Sequence, residues 1–342
     1  MIYYSGLILI IYIIYMVSKQ LENTHKSKML FCGLACIFVS LFQGFRSFTV
    51  GTDLASYIPS FRLIGERITN FNDLTFLNFE PGYVLYNKLL YMIGFDERGF
   101  LLVTALLIQL PIFYTIYKNS REPFLSILVY FAFSNFIMTF SGLRQAITMG
   151  LCFFGYNFIK KRRFFLYLIM IIIASTFHSS VLFCLILYPL YYMKLDRKKV
   201  LWILCMLFVT FIFRTQVIQI ANIIYYGETK ELISTNAYTM LFMYSLLLLI
   251  SYGFKSNEIE YTGLRNFLFL LCLVYTLAPV SNIFTRLGYP ISLYLTLLVP
   301  KITGKINVKP SNIIKNAICY VICISCFFYF IGELNTLPFS FM

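Results

Sequence analysis

Residues 99 to 117 read GFLLVTALLIQLPIFYTIY, a run of nineteen residues without a charged side chain. A membrane-spanning α-helix needs about 20 apolar residues to cross the hydrocarbon core of a bilayer. Lys118 and Arg121 follow the run, and basic residues beside a membrane helix mark its cytoplasmic end. The stretch therefore predicts a transmembrane helix whose carboxyl end lies inside the cell.

The rest of the chain has the same apolar character. Of its 342 residues 60% are hydrophobic and 12% are charged, and the mean hydropathy is +0.79, whereas soluble domains are about a quarter charged. The apolar runs are unbroken rather than alternating, which favours helices over barrel strands. We predict an all-α, polytopic membrane helical bundle of about 12 spans. The predicted spans are 2–17, 29–45, 99–117, 124–140, 145–159, 164–178, 179–193, 200–213, 237–254, 264–281, 286–300 and 312–331.

The net charge of +14 is distributed unevenly between the two predicted faces of the membrane. The predicted inner segments, with Arg265 and Lys315, hold 19 lysines and arginines against 5 acids, and the outer segments hold 9 of each. The basic excess therefore indicates membrane orientation, with the bilayer as partner, and gives no sign of nucleic-acid binding. The inner segments are 18–28, 118–123, 160–163, 194–199, 255–263 and 301–311. The predicted outer segments are 46–98, 140–145, 214–236, 282–286 and both termini.

Two segments need separate interpretations. Basic clusters flank 164–193 at both ends, so this stretch is predicted to cross twice, as a hairpin with its tip outside. The short apolar run 81–94 contains Asn87 and Lys88, and we predict a helix lying on the outer interface. The whole chain, 1–342, is predicted to form a single polytopic membrane domain with an outer juxtamembrane loop and interfacial helix at about 46–98.

Three arginines, Arg46, Arg144 and Arg286, are predicted at outer ends of helices. Ionisable groups are costly at membrane depth, which favours a functional role such as anion binding. The alternative is that each arginine only anchors its helix at the lipid headgroups. Arg144 is the strongest candidate, because the dipole of the helix that it opens opposes a cation, whereas a helix start with an arginine suits phosphate.

Asp53, Glu80 and His178 are candidate acid–base groups on the same predicted face. Asp53 could act as a base or orient a substrate hydroxyl, or it could cap the following helix. Glu80 precedes Pro81, so a cap at a helix start is the alternative there as well. His178 titrates near neutral pH and could serve as acid, base or anion donor, or be a hydrogen-bonded imidazole at a helix end.

These candidate residues support a functional site more strongly together than separately, because all of them are predicted on the outer face of the membrane. Three arginines around one cavity would repel each other without an anion, and a lipid diphosphate is the obvious anion at a membrane surface. Acids beside it would then handle hydroxyl chemistry. With only two histidines and no C-x-x-C pair in a loop, we predict no metal site and no cofactor.

Five blocks of the sequence resemble the EpsG-like branch of the Wzy polysaccharide polymerases. They are FRSFTVGTDLASY (45–57), FEPGYVLYNKL (79–89), SGLRQAIT (141–148), IASTFHSSVL (173–182) and RLGYP (286–290). The resemblance implies a metal-independent membrane glycosyltransferase of the GT-C type. Such enzymes polymerise oligosaccharide repeat units linked to polyprenyl diphosphate into O-antigen, capsule or exopolysaccharide at the outer face of the bacterial inner membrane.

The resemblance also implies roles for the matched positions. Diphosphate would be bound by Arg46, Arg144, Gln145 and Arg286. The catalytic candidates are Asp53, which we prefer as base, then His178 and Glu80. The expected partners are the lipid-linked oligosaccharides and the bilayer, and a chain-length regulator is left open.

Two other function classes are weighed beside polymerisation. One is a flippase or transporter of lipid-linked glycans, which typically has internal repeats and broken helices; the sequence indicates neither. The other is a membrane acyltransferase that modifies glycans with His178 as base. The run Gly288, Tyr289, Pro290 departs from an ordinary helix and predicts a kink.

Overall fold

The computed structural model describes residues 1–21, 24–68, 79–195, 197–226, 237–306 and 312–341. Within these ranges the chain is helical and has no β-strand, which confirms the all-α class. Part of the predicted outer loop (69–78) and part of the last predicted inner segment (307–311) lie outside the described residues. The α-helices are α1 (Ile2–Ser18), α2 (Thr24–Gly44), α3 (Leu54–Arg67), α4 (Pro81–Ile93), α5 (Glu97–Asn119), α6 (Pro123–Ala132), α7 (Asn135–Ser141), α8 (Leu143–Phe154), α9 (Tyr156–Lys160), α10 (Phe164–Ser175), α11 (Leu187–Tyr192), α12 (Arg197–Ile212), α13 (Arg214–Tyr226), α14 (Tyr238–Gly253), α15 (Ile259–Leu277), α16 (Asn282–Ser292), α17 (Leu295–Thr303) and α18 (Asn312–Phe330).

Every predicted apolar run is helical, but the predicted number of spans is not confirmed. In the described ranges, three helices are long and apolar enough to cross a membrane alone: α2, α5, and α15 with its continuation to Val280. Two further spans result if the bent pairs α6–α7 and α16–α17 each count as one. Five other described apolar helices are shorter than this criterion requires, so the estimate of about 12 spans remains a prediction.

The bend between α6 and α7 was not expected within the predicted span 124–140, whereas the bend between α16 and α17 lies near the predicted kink. α6 and α7 meet at 58° and α16 and α17 at 56°. Ser134, between the first two, has a left-handed backbone with φ 58°, and Pro290 lies near the end of α16, where the sequence predicted a kink. The Ser292 hydroxyl donates to the Asn135 side-chain oxygen at 2.7 Å, so the two breaks lie against each other.

The segment 164–193 forms the predicted hairpin. α10 is followed by a turn at His178, a 3₁₀ helix over Ser179–Ile186, and α11. The Tyr167 hydroxyl of α10 donates to the Cys184 carbonyl at 2.6 Å, which shows that the chain doubles back. The hairpin explains why His178 projects at one end of the bundle, far along the chain from either basic flank.

Contacts among the described residues separate the predicted inner and outer segments. At one end, Lys28 reaches the Ser120 carbonyl, Arg121 pairs with Glu258 at 3.3 Å, and Glu260 pairs with both Lys160 and Lys301. Each of these pairs joins two predicted inner segments. At the opposite end the predicted outer segments contact each other in the same way. The sorting into two groups is therefore observed, while the side that faces the cytoplasm remains a prediction.

The end of the chain packs on the loop that precedes α3. The amides of Ser47, Gly51 and Thr52 donate to the carbonyls of Ser340, Asn335 and Leu334, respectively, at 2.8 to 3.1 Å. The Tyr4 hydroxyl near the other terminus donates to the Thr336 carbonyl at 3.0 Å. Both termini therefore lie with the predicted outer group, and the final segment supports the loop that carries Asp53.

α4 has the bounds expected for the predicted interfacial helix. It ends at Gly94, whose φ of 96° forms a left-handed cap, as glycine commonly does after a helix. Tyr83 and Asn87 are buried, whereas Met92 and Ile93 are 70% and 71% exposed. A helix with one buried face and an apolar exposed end suits the membrane boundary, and its placement there remains a prediction.

Candidate active site

A cavity of about 250 Å³ opens among the predicted outer segments. Helices α3, α7, α8 and α16 border it together with the tip of the hairpin. It brings together five of the seven predicted site residues, which the sequence separates by more than 200 positions. The described lining residues are Asp53, Ser56, Tyr57, Phe79, Met138, Gly142, Arg144, Gln145, His178 and Arg286.

Glu80 joins two of these residues from just outside the cavity. One carboxylate oxygen accepts from Arg144 Nη1 at 2.5 Å, and the other lies 3.0 Å from His178 Nδ1. The Ser179 amide donates to that second oxygen at 3.2 Å. Because Pro81 opens α4, Glu80 is fixed at the N-terminal boundary of the helix. Glu80 thus holds an arginine and a histidine in one arrangement, with neither oxygen left over as a base.

Aromatic groups hold the Arg144 guanidinium from the other side. The Phe79 ring centroid lies 4.5 Å from the guanidinium carbon, within the range of a cation–π contact. Arg144 Nε donates to the Tyr57 hydroxyl at 3.4 Å. Arg144 lies in the first turn of α8, as predicted. Its Nη2 group has no hydrogen bond to the described protein, so this nitrogen of the guanidinium is available to donate to an anion in the cavity.

The pKa values of Glu80 and His178 shift in the same direction for different reasons. Burial raises the pKa of the Glu80 carboxyl, but its backbone hydrogen bonds and the Arg144 charge outweigh this and hold it below the ordinary value. Burial lowers the pKa of His178 despite the attraction of Glu80, and Arg144 and Arg286 lower it further. A neutral His178 donates from Nδ1 to Glu80 and leaves Nε2 as an acceptor.

Asp53 and Arg286 line the cavity without partners. In the part of the chain that the structure describes, neither side chain has a hydrogen bond or an ion pair. Asp53 stands at the N-terminal boundary of α3, yet its side chain makes no capping bond, so the alternative interpretation as a helix cap does not hold. The Ser141 hydroxyl accepts from the Asp53 amide at 3.2 Å and fixes this backbone at the cavity. The two side chains are therefore available to a ligand.

Gln145 contributes to the position of Arg286. The Gln145 side chain is 5% exposed, and its amide nitrogen donates to the Arg286 carbonyl at 2.5 Å. This bond ties the start of α16 to the start of α8. The geometry favours a positioning role over the predicted direct binding of diphosphate.

Arg46 is the predicted site residue that the structure places away from the cavity. Its guanidinium donates to the carbonyls of Val50 at 3.2 Å, Phe140 at 3.1 Å, and Gln43, and only 1% of the residue is exposed. Buried polar groups need such partners, and these three carbonyls use every nitrogen. The arrangement disfavours diphosphate binding and ties α2 and the end of α7 to the loop that carries Asp53.

Five lining residues were not among the predicted site residues: Ser56, Tyr57, Phe79, Met138 and Gly142. Two of them had a readable signal. Tyr57 follows Asp53 by four positions, which places both on one face of α3, and Phe79 directly precedes Glu80. Met138 had none, because its position depends on the break between α6 and α7.

The helices, the two charge-sorted ends and the polar cavity define a helical membrane protein with a charged site at one end of its bundle. The chain belongs to the EpsG family, whose family model matches residues 29–341. This is the family of Wzy-type and EpsG polysaccharide polymerases, and the match confirms the resemblance in the five sequence blocks. No curated protein and no solved structure matches the chain.

Proposed function

We propose that this protein polymerises oligosaccharide repeat units linked to polyprenyl diphosphate, at the outer face of the bacterial inner membrane. The donor is a growing glycan on its lipid diphosphate, and the acceptor is one lipid-linked repeat unit. The product is an O-antigen, capsule or exopolysaccharide chain. Membership of the EpsG family supports the reaction class.

The observation that carries the proposal is the unpaired charge in the cavity. Arg286 has no described partner, and Arg144 offers Nη2 beside it, so two guanidinium groups can grip one diphosphate. The volume of about 250 Å³ lies below the roughly 300–1,000 Å³ of drug-sized sites. It suits a diphosphate with the adjoining sugar, while the lipid and the remaining glycan extend beyond it.

The proposed step is a substitution at the anomeric carbon of the donor. The oxygen of an acceptor hydroxyl forms a bond to that carbon, and the bond from the carbon to the diphosphate oxygen breaks. The diphosphate keeps the electron pair, and the two arginines stabilise the developing charge. The acceptor proton passes to a base. Because the lipid diphosphate is itself a competent leaving group, a nucleotide sugar is not required.

Asp53 is the proposed base, as the sequence favoured, because its carboxylate faces the cavity without a partner. His178 Nε2 is the second candidate. Glu80 serves both through Arg144 and His178 and becomes a positioning residue. Removing a general base costs about 10²–10⁴-fold in rate, so Asp53→Asn is expected to lose that much activity. Ser60→Ala, further along α3 and outside the described lining, should stay within about twofold.

The test uses the purified full chain in nanodiscs, supplied only with polyprenyl-diphosphate-linked repeat units. A polymer ladder on a gel is the expected result. Arg286→Gln should reduce the rate about 10²–10³-fold, the typical loss on removing one donor that stabilises transition-state charge. Arg67→Gln, an exposed arginine of α3 outside the cavity, is the matched control. Absence of a ladder with intact substrate and folded protein would refute the polymerase proposal.

The two broken helix pairs favour a second candidate, a transporter of the same lipid-linked glycans. Transporters commonly bind their substrates where helices are discontinuous, and Asn135 and Ser292 join the two breaks here. Vesicles with labelled lipid-linked repeat units separate the two candidates. Movement of label between leaflets without chain growth would support transport, and chain growth without such movement would support polymerisation.

A further inference from the structure

A second and larger cavity lies at the opposite end of the bundle, among the predicted inner segments. Its volume is about 800 Å³. The end of α11 and the start of α15 form its walls, and the turn between α9 and α10 contributes Arg162. The 3₁₀ helix and the first two residues of α11 separate His178 from Tyr188, the nearest lining residue along this segment, by about 19 Å at the usual rises of about 2.0 and 1.5 Å per residue. The two cavities are therefore different sites.

Cations line the inner-end pocket, and the two acids in the adjoining described segments form ion pairs with residues outside its lining. Arg162, Lys194 and Arg265 are among its lining residues, and the described lining includes no aspartate or glutamate. Glu258 and Glu260 are the acids in the adjoining described segments. They pair with Arg121, Lys305, Lys160 and Lys301. Arg162 and Arg265 thus give the described pocket a positive lining that these two acids do not neutralise.

Arg162 occupies a backbone position that glycine normally takes. Its φ is 56°, and its amide donates to the Ile159 carbonyl at 2.9 Å, as the left-handed residue after a helix does. A side chain makes this conformation costly. The Arg162 guanidinium lies 5.0 Å from the centre of the Tyr192 ring. An arginine at a position suited to glycine indicates that the Arg162 side chain has a functional role at the pocket.

Arg265 approaches the pocket from α15. Its guanidinium carbon lies 4.1 Å from the centre of the Tyr252 ring, and its buried Nε has no hydrogen-bond partner in the described structure. Tyr188, Tyr191 and Tyr192 form an aromatic wall. Guanidinium groups held by aromatic rings keep their forked donors oriented, and phosphate is the anion that such forks match best.

We propose that the inner-end pocket binds a phosphate-bearing anion of small-molecule or headgroup size. Two sources supply this chemistry at the inner membrane surface: the headgroup of an anionic phospholipid and a soluble phosphate compound. Bound there, the anion would join the turn before α10 to α15, and α15 leads on to the helix that carries Arg286. The site differs in place and in ligand supply from the proposed polymerisation site.

The competing explanation is general attraction of a basic surface to anionic lipid. Lys161 separates the two, because it neighbours Arg162 in sequence and is exposed but does not line the pocket. Lys161→Gln removes the same charge from the same surface. Arg162→Gly removes the pocket charge and also relieves the left-handed backbone, so the variant is expected to fold at least as well as the parent.

Native mass spectrometry of the full chain in detergent provides the test, with phosphatidylglycerol, phosphatidylcholine and inorganic diphosphate as separate probes. The parent should retain phosphatidylglycerol, diphosphate or both in preference to phosphatidylcholine. Arg162→Gly and Arg265→Gln should each weaken that binding about tenfold or more, as loss of a charged hydrogen bond does, while Lys161→Gln changes it less than about twofold.

The pattern of probes identifies the source. Only binding that Arg162→Gly weakens counts for the inner-end pocket, because the outer cavity is also proposed to bind diphosphate. Such binding of phosphatidylglycerol alone assigns a lipid headgroup, of diphosphate alone a soluble ligand, and of both recognition of phosphate itself. Equal weakening by Lys161→Gln and Arg162→Gly would overturn the proposal in favour of general surface charge. Lack of preference for either anionic probe over phosphatidylcholine would overturn it as well. Melting curves confirm that each variant is folded.

Discussion

Glu80 controls two functional groups, because it binds Arg144 and His178 at the same time. Glu80→Gln keeps the size of the side chain but removes the charge that orients both. We expect the rate of polymer formation to fall about 10²-fold, at the lower end of the loss of a general base. The measurement is the initial rate of ladder formation together with its pH profile.

Glu97→Gln is the matched control for that change. Glu97 is also an outer acid, and it pairs with Arg62 away from the cavity. We expect Glu97→Gln to leave the rate within about twofold and the pH profile unmoved. An unchanged rate and pH profile in folded Glu80→Gln would show that the Glu80 charge has no part in catalysis.

His178 should also give the protein a pH-dependent stability. Its folded-state pKa lies below the ordinary value of about 6.5, because burial and two arginines disfavour the charged form. The unfolded chain then binds more protons as the pH falls, so stability is full above about pH 6.5 and is lost on acidification towards the folded pKa. We expect the melting temperature in detergent to fall below pH 6.5 and His178→Gln to flatten that part of the curve.

Several of these residues were predictable from the sequence, and their exact tasks were not. Arg144, His178 and Arg286 stand at predicted ends of apolar runs, where a charged group is costly enough to suggest function. Arg46 stands at a similar place, yet three carbonyls bind its guanidinium, two from nearby positions and one, that of Phe140, from far along the chain. The sequence shows that an arginine is present, but the partners that decide between binding and support come from tertiary packing.

At the scale of an element, the loop before α3 depends on Gly51. Its φ is 111°, and a Cβ built there would lie 2.2 Å from the Phe140 carbonyl oxygen. Gly94 has a similar φ of 96° with nothing within 4 Å, so it isolates the backbone cost. We expect Gly94→Ala to cost about 1 kcal/mol and Gly51→Ala about 1–3 kcal/mol more, the range for overpacking.

Thermal unfolding of the two alanine variants compares these costs. Gly51→Ala should also lower ladder formation, because it displaces the backbone that carries Asp53, whereas Gly94→Ala should not. Equal destabilisation by the two substitutions would mean that the loop can shift away from Phe140. The site would then tolerate more movement than its close packing suggests.

The broken helices show where prediction at this scale fails. Apolar periodicity marked 124–140 and 286–300 as helical, which is correct. Pro290 predicts the break between α16 and α17, because proline disrupts a helix. Ser134 gives no such signal for the break between α6 and α7. Its left-handed backbone, with φ 58°, is stabilised by surrounding structure that no local sequence pattern encodes.

At the scale of the whole molecule, Glu260 holds the inner end together. It pairs with Lys160 and Lys301, and the Lys301 side chain is 5% exposed. Removing one partner of a buried ion pair costs about 3–5 kcal/mol, since a buried charge is left alone. We therefore expect Glu260→Gln to lower the melting temperature strongly.

Glu258 provides the comparison for Glu260. It is 46% exposed and pairs with the 55% exposed Arg121, and such surface pairs are worth about 0–1 kcal/mol. Glu258→Gln should therefore change the melting temperature little. Similar losses for the two variants would mean that water reaches Lys301 and that the inner end is not closed.

The two-ended sorting of charge was the most predictable global property, because lysine and arginine positions are read directly from the sequence. The number of spans was the least predictable. Length alone could not show whether 145–159 continues as one helix or divides at Gly155 into α8 and α9. The charge of a residue is known from its identity, whereas the continuity of a helix depends on which residues pack against that helix.

The pairing of the final segment with the loop before α3 bears on how the protein is made. Ser47 and Thr52 are synthesised early, but the carbonyls that accept from their amides, on Ser340 and Leu334, follow more than 280 residues later in the sequence. The loop that carries Asp53 therefore lacks these hydrogen bonds until the segment 334–340 has been made. A chain that stops before Leu334 would keep the helices up to α18 but lose this support for one wall of the cavity.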